Sequence, residues 1–182
     1  KDTPEFKAKA EHLKTMSQWT GVPDWAFDNI TRLGVVVDQL VDEYRLDAIA
    51  LRCWIELQQE LGISPCLIMG YLNEKSIPAA CEVDVGSAVA MRALGLASNG
   101  PTACLDWNNN YGDEEDKCIL FHCGPVPPSM MNGLGRIVDH EILKTTLGPD
   151  RSYGPNVGRI APMDITFANM QTVDAMRPTL GP

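Results

Sequence analysis

The sequence predicts an α/β fold, in which a Rossmann-like parallel sheet flanked by helices is followed by a β-rich segment. Two continuously apolar stretches, 47–53 and 77–81, predict buried strands, and helical patterns lie between and after them. This alternation favours parallel strands joined by right-handed crossovers. After Asn99 the chain becomes strand-rich. We therefore expect two domains, an α/β portion over 1–98 and a β-rich portion over 99–182.

The helices of the first half carry recognisable start signals. Thr3 as an N-cap and Pro4 at the first helical position begin a helix that is expected to extend to residue 19. Apolar residues at helical spacing predict a second helix over 24–44. Asp84 is expected to cap another helix, because its carboxylate can accept a hydrogen bond from the first turn. Further helices are expected over 54–61, 66–74 and 84–96.

Three polar side chains follow predicted apolar strands, namely Glu82, Asp106 and His122. The strands that precede them are expected over 77–81, 102–105 and 117–121. Open parallel sheets bind ligands beyond the carboxyl ends of their strands, so these side chains are expected to lie at a cleft. Carboxylate oxygens and imidazole nitrogens are common ligands of divalent cations. The pattern therefore predicts a divalent-cation site on an α/β scaffold.

The second half of the chain predicts a hairpin followed by a long loop. The acidic turn 112–116 lies between two apolar segments, and its spacing favours a solvated hairpin tip over a calcium-binding loop. Frequent glycine and little periodicity predict a loop over 129–155. One further strand is expected over 159–170.

The composition excludes several classes of partner. The net charge of −9 argues against nucleic acid, because phosphate binding relies on clustered lysine and arginine. No apolar run approaches the ~20 residues of a membrane span, so no membrane partner is expected. These properties are compatible with a neutral small-molecule substrate.

The six cysteines are expected to be reduced core residues of a cytoplasmic protein. They lie mostly in apolar segments and never form a Cys-x-x-Cys pair, which argues against a structural zinc site. A disulfide framework would need a secretory context that the sequence does not indicate. The positions are Cys53, Cys66, Cys81, Cys104, Cys118 and Cys123.

Three short motifs resemble a known enzyme family. They are Cys-Glu-Val-Asp-Val at 81–85, Asp-Trp-Asn-Asn at 106–109 and Leu-Phe-His-Cys-Gly at 120–124. In this order they resemble the L-fucose/L-arabinose isomerase superfamily, on its fucose isomerase-like side. The resemblance implies a metal-dependent aldose-ketose isomerase that uses Mn²⁺ or another divalent cation. It further implies that Glu82 and Asp106 are both metal ligands and proton-transfer groups.

The resemblance also implies that this chain is a fragment, spanning the family's middle domain and the start of its C-terminal domain. The family's remaining metal ligand is a histidine from a more C-terminal segment, and no histidine follows His140 here. Its N-terminal domain, which is implied to shape a neighbouring subunit's active site, is not recognised either. We therefore expect a homo-oligomeric isomerase as the full-length protein and an inactive 182-residue chain.

The residues expected to bind the sugar are His122, Asn108 and Asn109. His122 could contact substrate or metal, or could bond to backbone within the core. The two asparagines could donate hydrogen bonds to sugar hydroxyls or could form a turn. The other histidines, His12 and His140, are expected to be structural or surface groups.

Two non-enzymatic classes remain open from the sequence. A sugar-binding α/β module without catalysis would also use parallel α/β lobes, but it would not need Glu82 and Asp106 together. The second class is an interaction protein whose acidic cleft is incidental. Metal-independent ligand binding would favour the first class, and full cellular activity without the two carboxylates would favour the second.

Overall fold

Helices and short strands alternate along the computed structural model, which describes residues 2–172 and 178–181, with side chains through residue 170. The helices are α1 Pro4–Met16, α2 Asp24–Tyr44, α3 Glu56–Leu61, α4 Cys66–Glu74, α5 Val85–Ser98 and α6 Glu141–Leu147, with a 3-10 turn at Pro128–Met130. The strands are β1 Ser17–Gln18, β2 Ile49–Ala50, β3 Ala79–Ala80, β4 Asp106–Tyr111, β5 Glu114–Phe121, β6 Gly135–Asp139, β7 Tyr153–Val157, β8 Asn169–Thr172 and β9 Pro178–Gly181.

The predicted helices of the first half are confirmed, except that the first ends at Met16 and not at residue 19, because Ser17 and Gln18 pair with β6 as strand β1. Thr3 caps α1 by accepting a 3.3 Å hydrogen bond from the Phe6 N–H, and Pro4 is the first helical residue. The second helix has the predicted bounds, and α3 ends at Gly62, whose left-handed backbone (φ +69°) closes the helix. Asp84 caps α5 by accepting a 2.8 Å hydrogen bond from the Ser87 N–H.

The core lies where α1, α2 and α4 pack on the short parallel strands. The largest fully buried side chains include apolar residues from all of these helices. Within this packing the ammonium of Lys9, on α1, lies 2.5 Å from the Asp38 carboxylate of α2 and 3.4 Å from the ring centroid of Tyr71 on α4. The apolar faces of the three helices thus bury one charged side chain together with its partners.

A parallel pair of strands confirms the predicted α/β class. β2 pairs with β3 in parallel, with Ile49 opposite Ala79 and Ala50 opposite Ala80. The ladder is much shorter than the apolar stretches 47–53 and 77–81 that predicted it, although both strands lie within them. Because the pairing is parallel, both strands end at the same edge of the sheet, immediately before the segments that carry Cys53 and Cys81.

The prediction of a long loop over 129–155 is wrong. β6 pairs in parallel with β1 and antiparallel with β7, so the strand order is β1-β6-β7. Both longer strands contain residues that usually break strands, and β7 reads Tyr-Gly-Pro-Asn-Val. Pairing between segments distant in sequence outweighs these weak local preferences. The resulting sheet adds its own contacts to the core, since Ile137 and Tyr153 are buried.

The hairpin prediction is confirmed in part. β4 and β5 form an antiparallel pair around the acidic turn, with Asp106 opposite Phe121. The strand expected over 102–105 is wrong, because that segment has no regular structure and Asp106 begins β4 instead of following a strand. The single strand expected over 159–170 is also wrong, since only Asn169 and Met170 of that segment belong to β8.

Contacts join residues on both sides of the predicted domain boundary. The Ser17 hydroxyl of β1 donates a 3.0 Å hydrogen bond to the Gly135 carbonyl, and the Ser64 N–H donates a 2.8 Å bond to the Tyr153 carbonyl. The division into 1–98 and 99–182 stays a prediction. Among the described residues, the helices lack the combination of length and apolar character that crossing a bilayer requires.

Candidate functional site

Glu82 lies at an unusual turn directly after β3. Glu82 and Val83 both have left-handed backbone conformations, with φ of +60° and +58°. For residues other than glycine this conformation costs roughly 1–2 kcal/mol each. A hydrogen bond from the Val83 N–H to the Leu51 carbonyl, 3.1 Å long, holds the turn against the end of β2. Strained backbone that the surroundings hold in place is common at functional sites, and here it exposes the Glu82 carboxylate.

Asp84 has a different role from Glu82, as predicted. One carboxylate oxygen accepts from the Ser87 N–H at 2.8 Å, and the other accepts from the Ser87 hydroxyl at 2.5 Å. Both oxygens are therefore engaged in capping α5. Among the described residues, neither Glu82 nor Asp106 forms an ion pair with lysine or arginine.

The β4–β5 hairpin brings Asp106 and His122 to one end. Asp106 begins β4 and pairs with Phe121, the last residue of β5, so His122 leaves the hairpin beside Asp106. The sequence placed Asp106 at a strand end for the wrong reason, because the preceding segment is not a strand. Antiparallel pairing nevertheless sets the two residues side by side.

Charges from both predicted acidic residues act on His122. Burial would lower the pKa of His122, but the Cys123 sulfur and the negative charges of Asp106 and Glu82 together outweigh burial and raise the pKa above its ordinary value. The three predicted residues therefore share one electrostatic environment. His122 is half-buried, whereas both carboxylates are exposed.

The two asparagines predicted to bind sugar lie on β4. Both are exposed, and Asn109 pairs with Ile119 across the hairpin. The register shifts between Trp107 and Asn109, so Asn108 lies at a β-bulge. The alternative of a turn is therefore wrong for both, since the hairpin turns at Gly112. Sugar binding by Asn108 and Asn109 stays a prediction.

A cluster of thiols that the sequence pattern did not predict lies next to Glu82. The sulfurs of Cys66 and Cys123 are 3.5 Å apart, and Nδ1 of His122 lies 3.5 Å from the Cys123 sulfur. Cys81 and Cys53 continue the cluster toward Glu82. The cysteines of this cluster have no Cys-x-x-Cys spacing that would predict it. The available signal was that Cys53 and Cys81 end predicted strands and that Cys123 follows the end of another.

The sulfurs of this thiol cluster differ in their acidity. Donation from the Cys66 and Cys81 thiols holds the pKa of Cys123 far below its usual range, despite burial. The same contact with Cys123 raises the pKa of Cys66, and contacts with Cys123 and Cys53 raise that of Cys81. Cys123 is thus the sulfur that most readily carries negative charge.

Two groups of three possible metal ligands converge among residues 2–172 and 178–181. Cys81, His122 and Cys123 form one, and Cys53, Cys81 and Glu82 form the other, with the ligand atoms of each group within 4.8 Å of one another. Glu82 is thus grouped with thiols, and neither group includes Asp106. Metal ligation by Glu82 together with Asp106 stays a prediction.

Residues of the thiol cluster line two cavities. The larger, about 870 Å³, has mostly apolar walls and is reached by His122, Cys123, His140 and Arg159. The smaller, about 320 Å³, is lined by Arg52, Cys53, Trp54, Glu82 and Val83. The larger volume lies in the range typical of small-molecule sites. His140, expected to be a structural or surface group, is buried beside this cavity.

Several curated proteins similar to this chain are named sulfoquinovose isomerase. That of Alkalicoccus urumqiensis is 26% identical over 121 residues, covering 66% of this chain and 26% of that protein. That of Priestia megaterium is 24% identical over 109 residues, covering 60% of this chain and 24% of that protein. That of a Clostridium species is 27% identical over 103 residues, covering 57% of this chain and 23% of that protein. The chain therefore spans about a quarter of the length of these relatives. No protein-family model matches it.

Proposed function

We propose that this chain is part of a metal-dependent aldose-ketose isomerase that acts on a sugar. Its two segments would be a portion of the middle domain and the start of the C-terminal domain. The observation that carries the proposal is the β4–β5 pairing that sets Asp106 beside His122, together with the exposed Glu82 carboxylate held at the turn after β3. The similarity to proteins named sulfoquinovose isomerase supports the same reaction class.

Isomerisation needs one proton to leave carbon and one to return. A base removes the proton from C2 of the aldose, a proton is delivered to C1, and the hydroxyl proton of O2 is transferred to O1. Glu82 and Asp106 are carboxylates without a lysine or arginine partner among the described residues, so each is able to accept and return a proton. The strained turn at Glu82 fixes the direction from which its carboxylate approaches the substrate.

His122 is proposed to orient the substrate. Nδ1 of His122 faces the Cys123 sulfur at 3.5 Å, which leaves Nε2 to donate a hydrogen bond to a sugar oxygen. The adjacent 870 Å³ cavity offers room for the rest of the sugar. Asn108 and Asn109, exposed on the same hairpin, are proposed to bind hydroxyls at its rim.

The donor set suits a divalent cation such as Mn²⁺. Two carboxylates provide oxygen ligands of the kind that this cation accepts, and Glu82 and Asp106 would hold it. When bound, the cation supplies Lewis-acid polarisation and a template for two substrate oxygens. The further histidine ligand implied by the family resemblance would come from outside this chain.

The full-length protein is the material for the decisive experiment. Sugar isomerisation is followed by NMR in D₂O with L-fucose, L-arabinose and sulfoquinovose as substrates. Glu82→Gln and Asp106→Asn are each expected to lower kcat by about 10²–10⁴-fold, the usual contribution of a positioned acid or base. Asp113→Asn, at the exposed hairpin tip, is the matched control and is expected to leave kcat unchanged.

The outcomes separate the isomerase from the other classes. Unchanged turnover in both carboxylate variants would overturn the proposed roles. Tight sugar binding without turnover or added metal would favour a sugar-binding α/β module. The 182-residue chain alone is expected to be inactive, because it would lack part of the ligand set.

A further inference from the structure

We propose that Cys81, His122 and Cys123 form a site for a thiophilic divalent cation such as Zn²⁺, distinct from the Glu82 and Asp106 pair. The two sulfurs and an imidazole nitrogen lie within 4.8 Å of one another. Cys81 is buried, and the other two are half-buried. This composition, two thiolates and one imidazole, is a known ligand set for zinc.

The spacing of the ligand atoms is close to that of a metal centre. Zn–S bonds of about 2.3 Å in a tetrahedron place neighbouring sulfurs about 3.8 Å apart. The His122 Nδ1 and Cys123 sulfur are already 3.5 Å apart, and the whole group lies within 4.8 Å. The ligand atoms are therefore already near the separations that a bound zinc ion requires.

The fold positions these ligands on two independent supports. Cys81 directly follows β3, whose Ala79 N–H donates a 2.7 Å hydrogen bond to the buried Asn73 side chain. Cys123 is followed by Gly124, whose backbone lies against Asn156 of β7. Since both ligand-bearing segments are fixed by buried contacts, the site is pre-organised and little ordering is needed when a metal binds.

The surroundings complete the site. Three protein ligands leave a fourth position, and His122 and Cys123 both reach the 870 Å³ cavity from which water can enter. The Cys66 thiol lies 3.5 Å from the Cys123 sulfur and can donate to it, as the outer partners of metal ligands commonly do. Cys66 is buried, so this support comes from within the core.

Ligand softness distinguishes this site from the proposed isomerase centre. Thiolates select Zn²⁺, for which Co²⁺ is a spectroscopic substitute, whereas carboxylates suit Mn²⁺ and Mg²⁺. Glu82 has its carboxylate within 4.8 Å of the Cys53 and Cys81 sulfurs, so the two sites adjoin. Their metal preferences nevertheless allow each to be measured alone.

Cobalt titration of the 182-residue chain under reducing conditions tests the proposal. One equivalent of Co²⁺ is expected to produce sulfur-to-cobalt charge-transfer bands in the near ultraviolet, and Zn²⁺ is expected to abolish them. Cys81→Ser and Cys123→Ser should each weaken Co²⁺ binding by at least about tenfold, in line with the sensitivity of metal sites to their ligands and supports. The matched control, Cys118→Ser, removes a half-buried thiol on β5 and should leave the bands unchanged.

A second measurement on the unmodified protein avoids dependence on the folding of the variants. Zn²⁺ is expected to protect the half-buried Cys123 from iodoacetamide, as detected by mass spectrometry, and to leave Cys118 reactive. Absence of charge-transfer bands, or equal alkylation of Cys123 with and without Zn²⁺, would overturn the site. The double variant Glu82→Gln, Asp106→Asn should keep the cobalt bands, so failure of the isomerase proposal is recognised separately.

Discussion

The Asn73 side chain donates a 2.7 Å hydrogen bond to the Pro125 carbonyl and thereby joins α4 to the segment that carries His122 and Cys123. The same amide accepts a 2.7 Å bond from the Ala79 N–H, at the start of β3. Asn73 is 1% exposed, so these bonds are made without competition from water. One buried side chain therefore positions both backbone segments of the candidate site.

Asn73→Ala is expected to lower the free energy of unfolding by about 3 kcal/mol, because it leaves buried backbone groups of Ala79 and Pro125 without partners. Urea denaturation measures the change. The control is Asn29→Ala, which removes a 3.0 Å bond to the Leu61 carbonyl at an exposed position and should cost less than about 1 kcal/mol. Equal costs for the two variants would contradict the bridging role of Asn73.

Gly124→Ala is expected to cost about 3 kcal/mol or more. Gly124 has φ of +115°, and an added Cβ would lie 2.5 Å from the Asn156 backbone nitrogen. Backbone strain and a clash with backbone therefore add. Gly133→Ala separates backbone strain from the clash, because Gly133 has φ of +89° but an added Cβ would meet nothing within 4 Å. This variant should therefore cost only about 1–2 kcal/mol. Thermal and urea unfolding measure both; similar costs would show that the Asn156 contact is unimportant.

Asp38→Ala is expected to destabilise the fold more than Lys9→Met. The Lys9 side chain is 5% exposed and that of Asp38 is 29% exposed, so removing Asp38 leaves a buried charge unpaired. Loss of one partner from such a pair costs about 3–5 kcal/mol, whereas an apolar replacement of the buried partner is often nearly neutral. Denaturant midpoints of the two variants provide the test, and the reverse order would contradict it.

The Tyr153 hydroxyl is expected to make stability fall at alkaline pH. It donates a 2.6 Å hydrogen bond to Asp150, and this bond, aided by burial, raises the pKa of Tyr153 from 10.0 to about 12. Because the folded state holds the proton more tightly, the stabilisation is complete below pH ~10 and is lost as the pH rises through ~12.

Unfolding free energies measured from pH 9 upward, together with tyrosinate absorbance, check this expectation. Asp150→Asn should bring the pKa of Tyr153 closer to its ordinary value and flatten the decline in stability. Asparagine tolerates the left-handed backbone of Asp150 (φ +59°), so the variant changes charge with little strain. An identical pH profile in Tyr153→Phe and in the unmodified chain would rule out Tyr153 as the source.

Local signals explain why the helices of the first half were predictable. A cap at Thr3, a cap at Asp84 and a closing glycine at Gly62 act within one helical turn, so neighbouring residues suffice to define them. Glu82 at a strand end follows equally from a short apolar stretch. The left-handed turn at Glu82 cannot be predicted from neighbouring residues, because it is held by the hydrogen bond to the Leu51 carbonyl.

The sequence by itself determined the α/β class, most helix ends and the positions of Glu82 and His122, since these depend on residues close in the chain. Only the tertiary structure decided the β1-β6-β7 sheet, in which strands rich in glycine, proline and asparagine are stabilised by partners far away in sequence. The tertiary structure also decided that four of the cysteines form a thiol cluster. Cys53, Cys66, Cys81 and Cys123 meet because parallel strands end at one edge and α4 packs beside them, a proximity that no spacing along the chain encodes.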